Sequence, residues 1–162
     1  MRNQKQKKRL FGFTLIELLV VVAIIALLTS IALISFMDAR RKSRDSKRIS
    51  DMTQMITAMG LFDAANKGFP ADANNDGIPD GLSPNFASTI PAAPLPADGA
   101  CASVNPVTGQ AANTYWYMPQ GTAYLGSNGA QVYPDYRYYY CLGSTTGNFQ
   151  AGIRYVSSTG SH

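Results

Sequence analysis

A single carboxylate interrupts the most apolar stretch of the sequence. Glu17 lies five positions after Gly12, and eleven consecutive apolar residues follow it, from Leu18 to Leu28. A charged side chain at the centre of a membrane helix costs roughly 2.5–3.5 kcal/mol on insertion scales, and less near the helix end. We therefore expect Glu17 either to meet an opposite charge or to extend to the membrane interface.

A second group of polar side chains has the spacing of a calcium loop. The segment DANNDGIPD carries oxygen ligands at its positions 1, 3, 5 and 9, which are Asp72, Asn74, Asp76 and Asp80. Gly77 permits the sharp turn at position 6, and Ile78 offers its backbone carbonyl at position 7. The pattern predicts a Ca²⁺ site and resembles the DxDxDGxxD loops of thrombospondin type 3 repeats, in a single copy.

The loop departs from an EF-hand in two ways. Ser83 stands at position 12, where an EF-hand has a bidentate glutamate, and no second helix is predicted after the loop. The alternative is a polar turn of Asn, Asp and Gly residues that binds no metal.

The remaining reactive side chains favour a disulfide over catalysis. Cys101 and Cys141 are the only cysteines, and their number and the expected membrane topology predict one disulfide in an oxidising compartment. A metal pair or free thiols are the alternatives. His162 is the only histidine and is terminal, so neither a Ser-His-Asp triad nor a histidine-rich metal site is predicted. We do not expect the chain to be an enzyme.

The apolar stretch that contains Glu17 is long enough to cross a membrane. It runs over residues 13–37, and about 20 apolar residues in a helix span a bilayer core. Five basic residues precede it and favour a cytoplasmic N-terminus, but six more between Arg40 and Arg48 leave the orientation open. The alternative is an ordinary secretory signal that is cut after Ala32.

Residues 8–19, KRLFGFTLIELL, resemble the processing site of type IV prepilins and of the pseudopilins of type II secretion. The resemblance implies that a prepilin peptidase cuts between Gly12 and Phe13 and that the new N-terminus, Phe13, is N-methylated. It also implies that Glu17 meets the positive N-terminus of a neighbouring subunit when the filament assembles. The implied partners are the peptidase, the membrane, an inner-membrane assembly platform, and self and other pilin subunits.

The charge distribution argues against a DNA-binding surface. The five basic residues of the leader account for the net charge of +4, and the chain after Gly12 has nine basic and ten acidic residues. Arg40, Arg44, Lys47 and Arg48 share one helical face, but this face is next to the membrane and has no interleaved aromatic residues. DNA is therefore not an expected partner.

The spacing of apolar residues predicts that the membrane helix continues to about Asn66. An apolar stripe recurs at steps of three and four, formed by Ile49, Met52, Met55 or Ile56, Met59 and Phe62. The pairs Asp38–Lys42 and Arg41–Asp45 have helical i,i+4 spacing. Gly68 is the expected C′ residue that ends the helix, with Pro70 beyond it.

The C-terminal part of the sequence predicts a small antiparallel sheet. A proline-rich loop at residues 83–106 precedes three strand patterns, at residues 114–118, 136–142 and 149–156. The predicted organisation is a basic leader (1–12), a transmembrane and assembly helix (13–37), an amphipathic helix (38–66) and a globular head (67–162). The expected fold is α+β, a pilin-like lollipop with the long helix packed on the sheet.

These patterns predict a structural subunit of a type IV pilus or a type II secretion-like pseudopilus. We expect a single-pass inner-membrane protein with an extracytoplasmic head before assembly, and a filament subunit afterwards. The alternatives are a secreted or membrane-anchored extracytoplasmic calcium-binding module and a DNA-uptake (competence) pseudopilin.

Overall fold

The computed structural model describes residues 12–102 and 113–162, so the basic leader lies outside the described residues except for Gly12. The fold is α+β, as predicted: one long helix is followed by antiparallel strands. The helix, α1, is Leu15–Asn66, which agrees with the expected span from Phe13 to about Asn66. The chain divides into two compact units, Met1–Asp38 and Ala39–His162.

The first part of α1 is apolar and exposed. Every described residue from Gly12 to Arg40 is exposed. The most apolar 18-residue window of α1 has a mean hydropathy of 2.9, and none of its residues is buried. By length and composition alone, this helix is able to cross a membrane.

The second part of α1 packs one face on the core of the Ala39–His162 unit. The predicted stripe is confirmed, because Met52, Met55, Met59 and Phe62 are all buried. Their spacing of three, four and three residues keeps them on one side of a helix with 3.6 residues per turn. Ile56 was the alternative to Met55, and it is instead 40% exposed.

The residue that terminates the helix lies one position earlier than the sequence predicts, although α1 itself ends at Asn66 as expected. Lys67, not Gly68, has the left-handed conformation, with φ 63°, and its N–H donates to Asp63 O at 2.8 Å. The expectation that Gly68 is the C′ residue is therefore wrong. Gly68 is needed for space, since a Cβ there would lie 2.6 Å from both Tyr124 Oη and Val132 Cγ2.

In the described part of the chain, seven strands form two antiparallel sheets. The strands are β1 (Phe69–Pro70), β2 (Trp116–Gln120), β3 (Tyr124–Leu125), β4 (Gln131–Tyr133), β5 (Asp135–Leu142), β6 (Gly152–Ser157) and β7 (Gly160–Ser161). The small sheet has the order β1-β4-β3, and the larger one has the order β2-β5-β6-β7. The three predicted strand patterns correspond to β2, β5 and β6.

The larger sheet buries alternate tyrosines against α1. Tyr136, Tyr138 and Tyr140 of β5 are each at most 2% exposed, as expected for residues that share one face of a strand. The Tyr117 ring lies 6.0 Å from the rings of both Tyr136 and Tyr138. The core is therefore aromatic on the sheet side and rich in methionine on the helix side.

The proline-rich loop is anchored to this core. Leu82, immediately before the loop, is fully buried, and the Phe86 ring packs edge to face on Phe62 at a centroid distance of 5.2 Å. Further along, a 3₁₀ helix, Gly99–Ala102, carries Cys101, which is joined to Cys141 of β5 by the predicted disulfide. The disulfide links the loop to β5 of the larger sheet.

Candidate functional site

The start of α1 is closed by a reciprocal cap between Thr14 and Glu17. The Thr14 N–H donates to Glu17 Oε2 at 2.9 Å, and the Glu17 N–H donates to Thr14 Oγ1 at 3.3 Å. The Thr14 hydroxyl also donates to Glu17 Oε2 at 2.7 Å. This is a capping box, with threonine at the N-cap and glutamate three residues later.

The cap gives Glu17 a local role that the sequence interpretation missed. The pattern Thr-x-x-Glu before an apolar run is itself a sign of a helix start, and it was present in the sequence. The carboxylate therefore satisfies backbone donors of its own helix. Contact of Glu17 with a neighbouring subunit remains a prediction, because the structure contains one chain.

Gly12 and Phe13 lie just before the cap, outside α1. Both residues are exposed, and Phe13 retains 76% of its accessible surface. The apolar side chains of the following turns are also exposed, with Leu15 at 81% and Ile16 at 69%. A helix that is apolar on all sides needs an apolar surrounding, either lipid or other helices.

The acidic loop uses its carboxylates to hold its own backbone. Asp72 accepts the N–H of Asp76 at 3.0 Å and that of Gly77 at 2.9 Å. Asp76 accepts the N–H of Ile78 at 2.8 Å and the side-chain amide of Asn74 at 2.8 Å. The side chains predicted to bind calcium thus fold back over one turn.

Two hydrogen bonds join the ends of this loop. The Asp80 N–H donates to Ala71 O at 2.8 Å, and the Ala73 N–H donates to Asp80 Oδ2 at 2.8 Å. Within residues 12–102 and 113–162, no group of three or more His, Cys, Asp or Glu side chains is placed to hold a metal ion. The five predicted ligand residues lie in one closed loop, but their carboxylates do not converge.

The loop packs directly on the only tryptophan. The Tyr117 N–H of β2, an edge strand of the larger sheet, donates to Gly77 O at 2.9 Å. Gly77 is buried and has φ 77°, and a Cβ at this position would overlap the ring of Trp116. Trp116 is 5% exposed, so its environment depends on the conformation of the loop.

The basic face of α1 is largely used inside the Ala39–His162 unit. Arg44 pairs with Asp98, with Arg44 Nε donating to Asp98 Oδ2 at 2.9 Å, and Lys47 pairs with Asp51. Arg48 is fully buried and pairs with Asp45. These contacts neutralise three of the four basic side chains in the predicted cluster, so they form no free phosphate-binding surface.

Asp45 fastens α1 to the turn between β5 and β6. It accepts Arg48 Nη1 at 2.6 Å, the Gly143 N–H at 2.8 Å and the Ser144 N–H at 2.9 Å. Burial by itself raises the pKa of Asp45, but the hydrogen bonds from Gly143, Ser144 and Arg48 outweigh it and hold the pKa below its usual value. The carboxylate therefore stays ionised in the folded protein near neutral pH.

Comparison with known proteins places the strongest similarity at the N-terminus. Residues 7–33, which include Gly12, Phe13 and Glu17, match the family described as "Prokaryotic N-terminal methylation motif". Type II secretion system core protein G of Aeromonas hydrophila is 32% identical over 65 residues, which are 40% of this chain and 46% of that protein.

Two further relatives are similar to the chain over comparable lengths. Type IV major pilin protein PilA of Myxococcus xanthus is 35% identical over 78 residues, covering 48% of this chain and 36% of that protein. Type II secretion system core protein G of Klebsiella michiganensis is 31% identical over 70 residues, covering 43% and 46%. The chain spans less than half the length of these curated relatives. No solved structure matches the chain significantly.

Proposed function

We propose that this chain is a structural subunit of a prepilin-type filament, either a type IV pilus or a type II secretion-like pseudopilus. The observation that carries the proposal is the N-terminal segment itself. It combines the methylation motif with a capped helix that is apolar and exposed on all sides. Such a helix needs neighbours, and a filament core of packed helices supplies them.

In this proposal, processing precedes assembly. A prepilin peptidase cuts after Gly12, Phe13 becomes the methylated N-terminus, and an inner-membrane platform then assembles the processed subunits. Gly12 and Phe13 are exposed and lie outside α1, which is compatible with entry into a peptidase site. Before assembly the helix anchors the subunit in the inner membrane, with the head outside the cytoplasm. The chain acts mechanically and carries out no reaction of its own.

Glu17 connects the cap to assembly. The new N-terminal amine of one subunit carries a positive charge, and the Glu17 carboxylate of its neighbour offers the opposite charge in an apolar surrounding. The attraction between two opposite charges that meet there offsets part of the free-energy cost of removing them from water. Because the cap already orients the carboxylate toward the helix start through Oε2, the cap also places the negative charge beside the N-terminal segment.

The variant Glu17→Gln separates the two roles of this side chain. Glutamine also completes a capping box, so the helix start is preserved while the charge is removed. We expect the full-length variant to insert into the membrane and to be processed, but to form no filaments in the native cell. Shear fractions measure the filaments, and mass spectrometry of the membrane-bound subunit measures processing. Normal filaments built from Glu17→Gln subunits would show that assembly does not need the charge.

We also propose that the acidic loop binds Ca²⁺ weakly. The ligands would be the side chains of Asp72, Asn74, Asp76 and Asp80 and the carbonyl of Ile78. One observation supports this: the loop is closed by the Asp80 hydrogen bonds. In addition, a carboxylate oxygen that accepts one N–H keeps a second lone pair for a cation. A hard cation favours such oxygen ligands, and extracellular modules bind calcium with dissociation constants of about 0.1–1 mM.

Trp116 fluorescence tests the calcium proposal directly, because this residue is the only tryptophan and contacts Gly77. We expect a saturable change of Trp116 emission as Ca²⁺ is titrated to about 10 mM with the full chain in detergent. Asp76→Ala should abolish the change, whereas Asp63→Ala, in α1 and outside the loop, should keep it. An unchanged emission spectrum, together with no rise in the unfolding midpoint, would exclude the site.

A further inference from the structure

A cleft of about 620 Å³ opens between the end of α1, the acidic loop and the turn that joins β3 to β4. This volume lies within the range of about 300–1,000 Å³ that is usual for small-molecule sites. Its lining includes two phenylalanines, three amides and one carboxylate, namely Phe62, Phe86, Asn66, Asn85, Gln131 and Asp80. Neither the cap at Glu17 nor the calcium proposal explains why amides and phenylalanine rings line this cleft together.

Among the described residues that line the cleft, the polar side chains are amides and one carboxylate, and none is a cation. Asn85 and Gln131 are exposed, and their side chains make no hydrogen bond within the described part of the chain. Asp80 accepts only the Ala73 N–H there, through Oδ2, so Oδ1 remains for a ligand. Amides both donate and accept hydrogen bonds, whereas a carboxylate only accepts them. This set disfavours phosphate and other anions and matches a neutral ligand with many hydroxyl groups.

An aromatic pair supplies the apolar part of the cleft. The rings of Phe62 and Phe86 meet edge to face at 5.2 Å. Sugar rings have an apolar face of C–H groups as well as hydroxyl edges, and the negative face of an aromatic ring attracts such C–H groups. Aromatic rings beside amides and a carboxylate therefore fit the two kinds of surface that a sugar presents.

Hydrogen bonds hold the walls of the cleft in place without a ligand. The Ser127 N–H donates to Asn66 O at 2.9 Å, which ties the β3–β4 turn to the end of α1. Asn66 is 6% exposed, and its amide is fixed by donation to Phe62 O at 3.0 Å. Asn128 caps the same turn by accepting the Ala130 N–H at 2.9 Å. A cleft that is already formed loses less entropy when it binds a ligand.

We propose that this cleft binds a neutral saccharide. The amides of Asn85 and Gln131 and the free oxygen of Asp80 hydrogen-bond its hydroxyl groups. The partly exposed Phe86 ring, which packs on the buried Phe62, contacts its C–H face. A single sugar ring makes few contacts, so a dissociation constant of about 1–10 mM is expected for a monosaccharide. The inference rests on the geometry of the head and does not depend on filament assembly.

The test is an NMR titration of the ¹⁵N-labelled full chain in a detergent without a sugar head group, in calcium-free buffer. The probes are the methyl glycosides of glucose, galactose and mannose, each added to about 50 mM. We expect at least one probe to shift the side-chain amide signals of Asn66, Asn85 and Gln131 saturably. Asn85→Ala and Gln131→Ala should each weaken binding about 5-fold or more, because a lost hydrogen bond of about 1 kcal/mol corresponds to that factor.

A matched variant separates specific binding from general effects. Asn148→Ala removes an exposed amide in the turn between β5 and β6, outside the cleft, and should leave the titration unchanged. The proposal is overturned if none of the three glycosides shifts the cleft amides. It is also overturned if the shifts persist in the double variant Asn85→Ala, Gln131→Ala, or if they follow protein concentration and not sugar concentration, which would indicate contact between copies of the chain.

Discussion

Replacing Asp45 with asparagine should destabilise the head more than any comparable change on the surface. Asp45 is fully buried and accepts Arg48 Nη1 at 2.6 Å and the Gly143 N–H at 2.8 Å. In the variant, the buried Arg48 guanidinium loses its nearest negative charge. The NH₂ group of the new asparagine only donates hydrogen bonds, so it cannot accept one from the backbone N–H groups that Asp45 binds. Breaking a buried ion pair by removing one partner costs about 3–5 kcal/mol.

We therefore expect the free energy of unfolding to fall by about 3–5 kcal/mol in Asp45→Asn. The assay is urea unfolding of the full chain in detergent, followed by the fluorescence of Trp116, which is buried in the head. Asp63→Asn is the matched control, because Asp63 is partly exposed on α1 and should change stability by no more than about 0.5 kcal/mol. A loss below about 1 kcal/mol in Asp45→Asn would refute the view that this carboxylate fastens α1 to the sheet.

The same carboxylate makes a prediction about pH. The pKa of Asp45 in the folded protein lies below its usual value of 3.8, because hydrogen bonds to the ionised form outweigh the effect of burial. Its contribution to stability is therefore fully present above pH 3.8 and is lost as the pH falls through the lower folded-state pKa. The wild-type chain should lose stability in this acid range, and Asp45→Asn should lose less, since it lacks this contribution at every pH. If the two proteins lose the same stability in acid, then groups other than Asp45 cause the loss.

Three further changes have expected outcomes. Replacing both Cys101 and Cys141 with serine should lower the free energy of unfolding by about 3–4 kcal/mol, since the disulfide closes a separation of 40 residues. Denaturant unfolding measures this free energy, and a loss below about 1 kcal/mol would contradict the prediction. Gly77→Ala should lower the free energy of unfolding by at least about 1 kcal/mol and shift the Trp116 emission, because φ is positive at Gly77 and a Cβ there overlaps the indole ring. An unshifted emission spectrum would argue against this packing. Glu17→Ala should lose both the cap and the charge, so it should also assemble no filaments, and normal filaments would count against the proposed assembly.

Local patterns predicted much of the fold. The 3.6-residue period of the methionine stripe identified the packed face of α1, and β-branched and aromatic runs identified β2, β5 and β6. The short strands β1, β3 and β4 have two or three residues each, too few to show an alternating pattern. They form because the chain is brought together around Val132, which is fully buried. Tertiary packing of this kind leaves no local sequence signal.

The sites were predictable to different degrees. The motif around Gly12 and Glu17 is contiguous, so the sequence alone located it. The contact of Asp45 with Gly143 joins residues 98 positions apart, and no periodicity indicates such a pair. The sequence placed the residues of the acidic loop in one turn, but it did not reveal that Asp72 holds the backbone N–H groups of its own loop.

The most direct measurement is the N-terminal mass and sequence of the mature protein from its native cell. If the chain is a prepilin-type subunit, the mature protein begins with N-methylated Phe13, because the cut falls after Gly12. A mature chain that begins at Leu33, after Ala32, would mean ordinary secretion and would contradict filament assembly through α1.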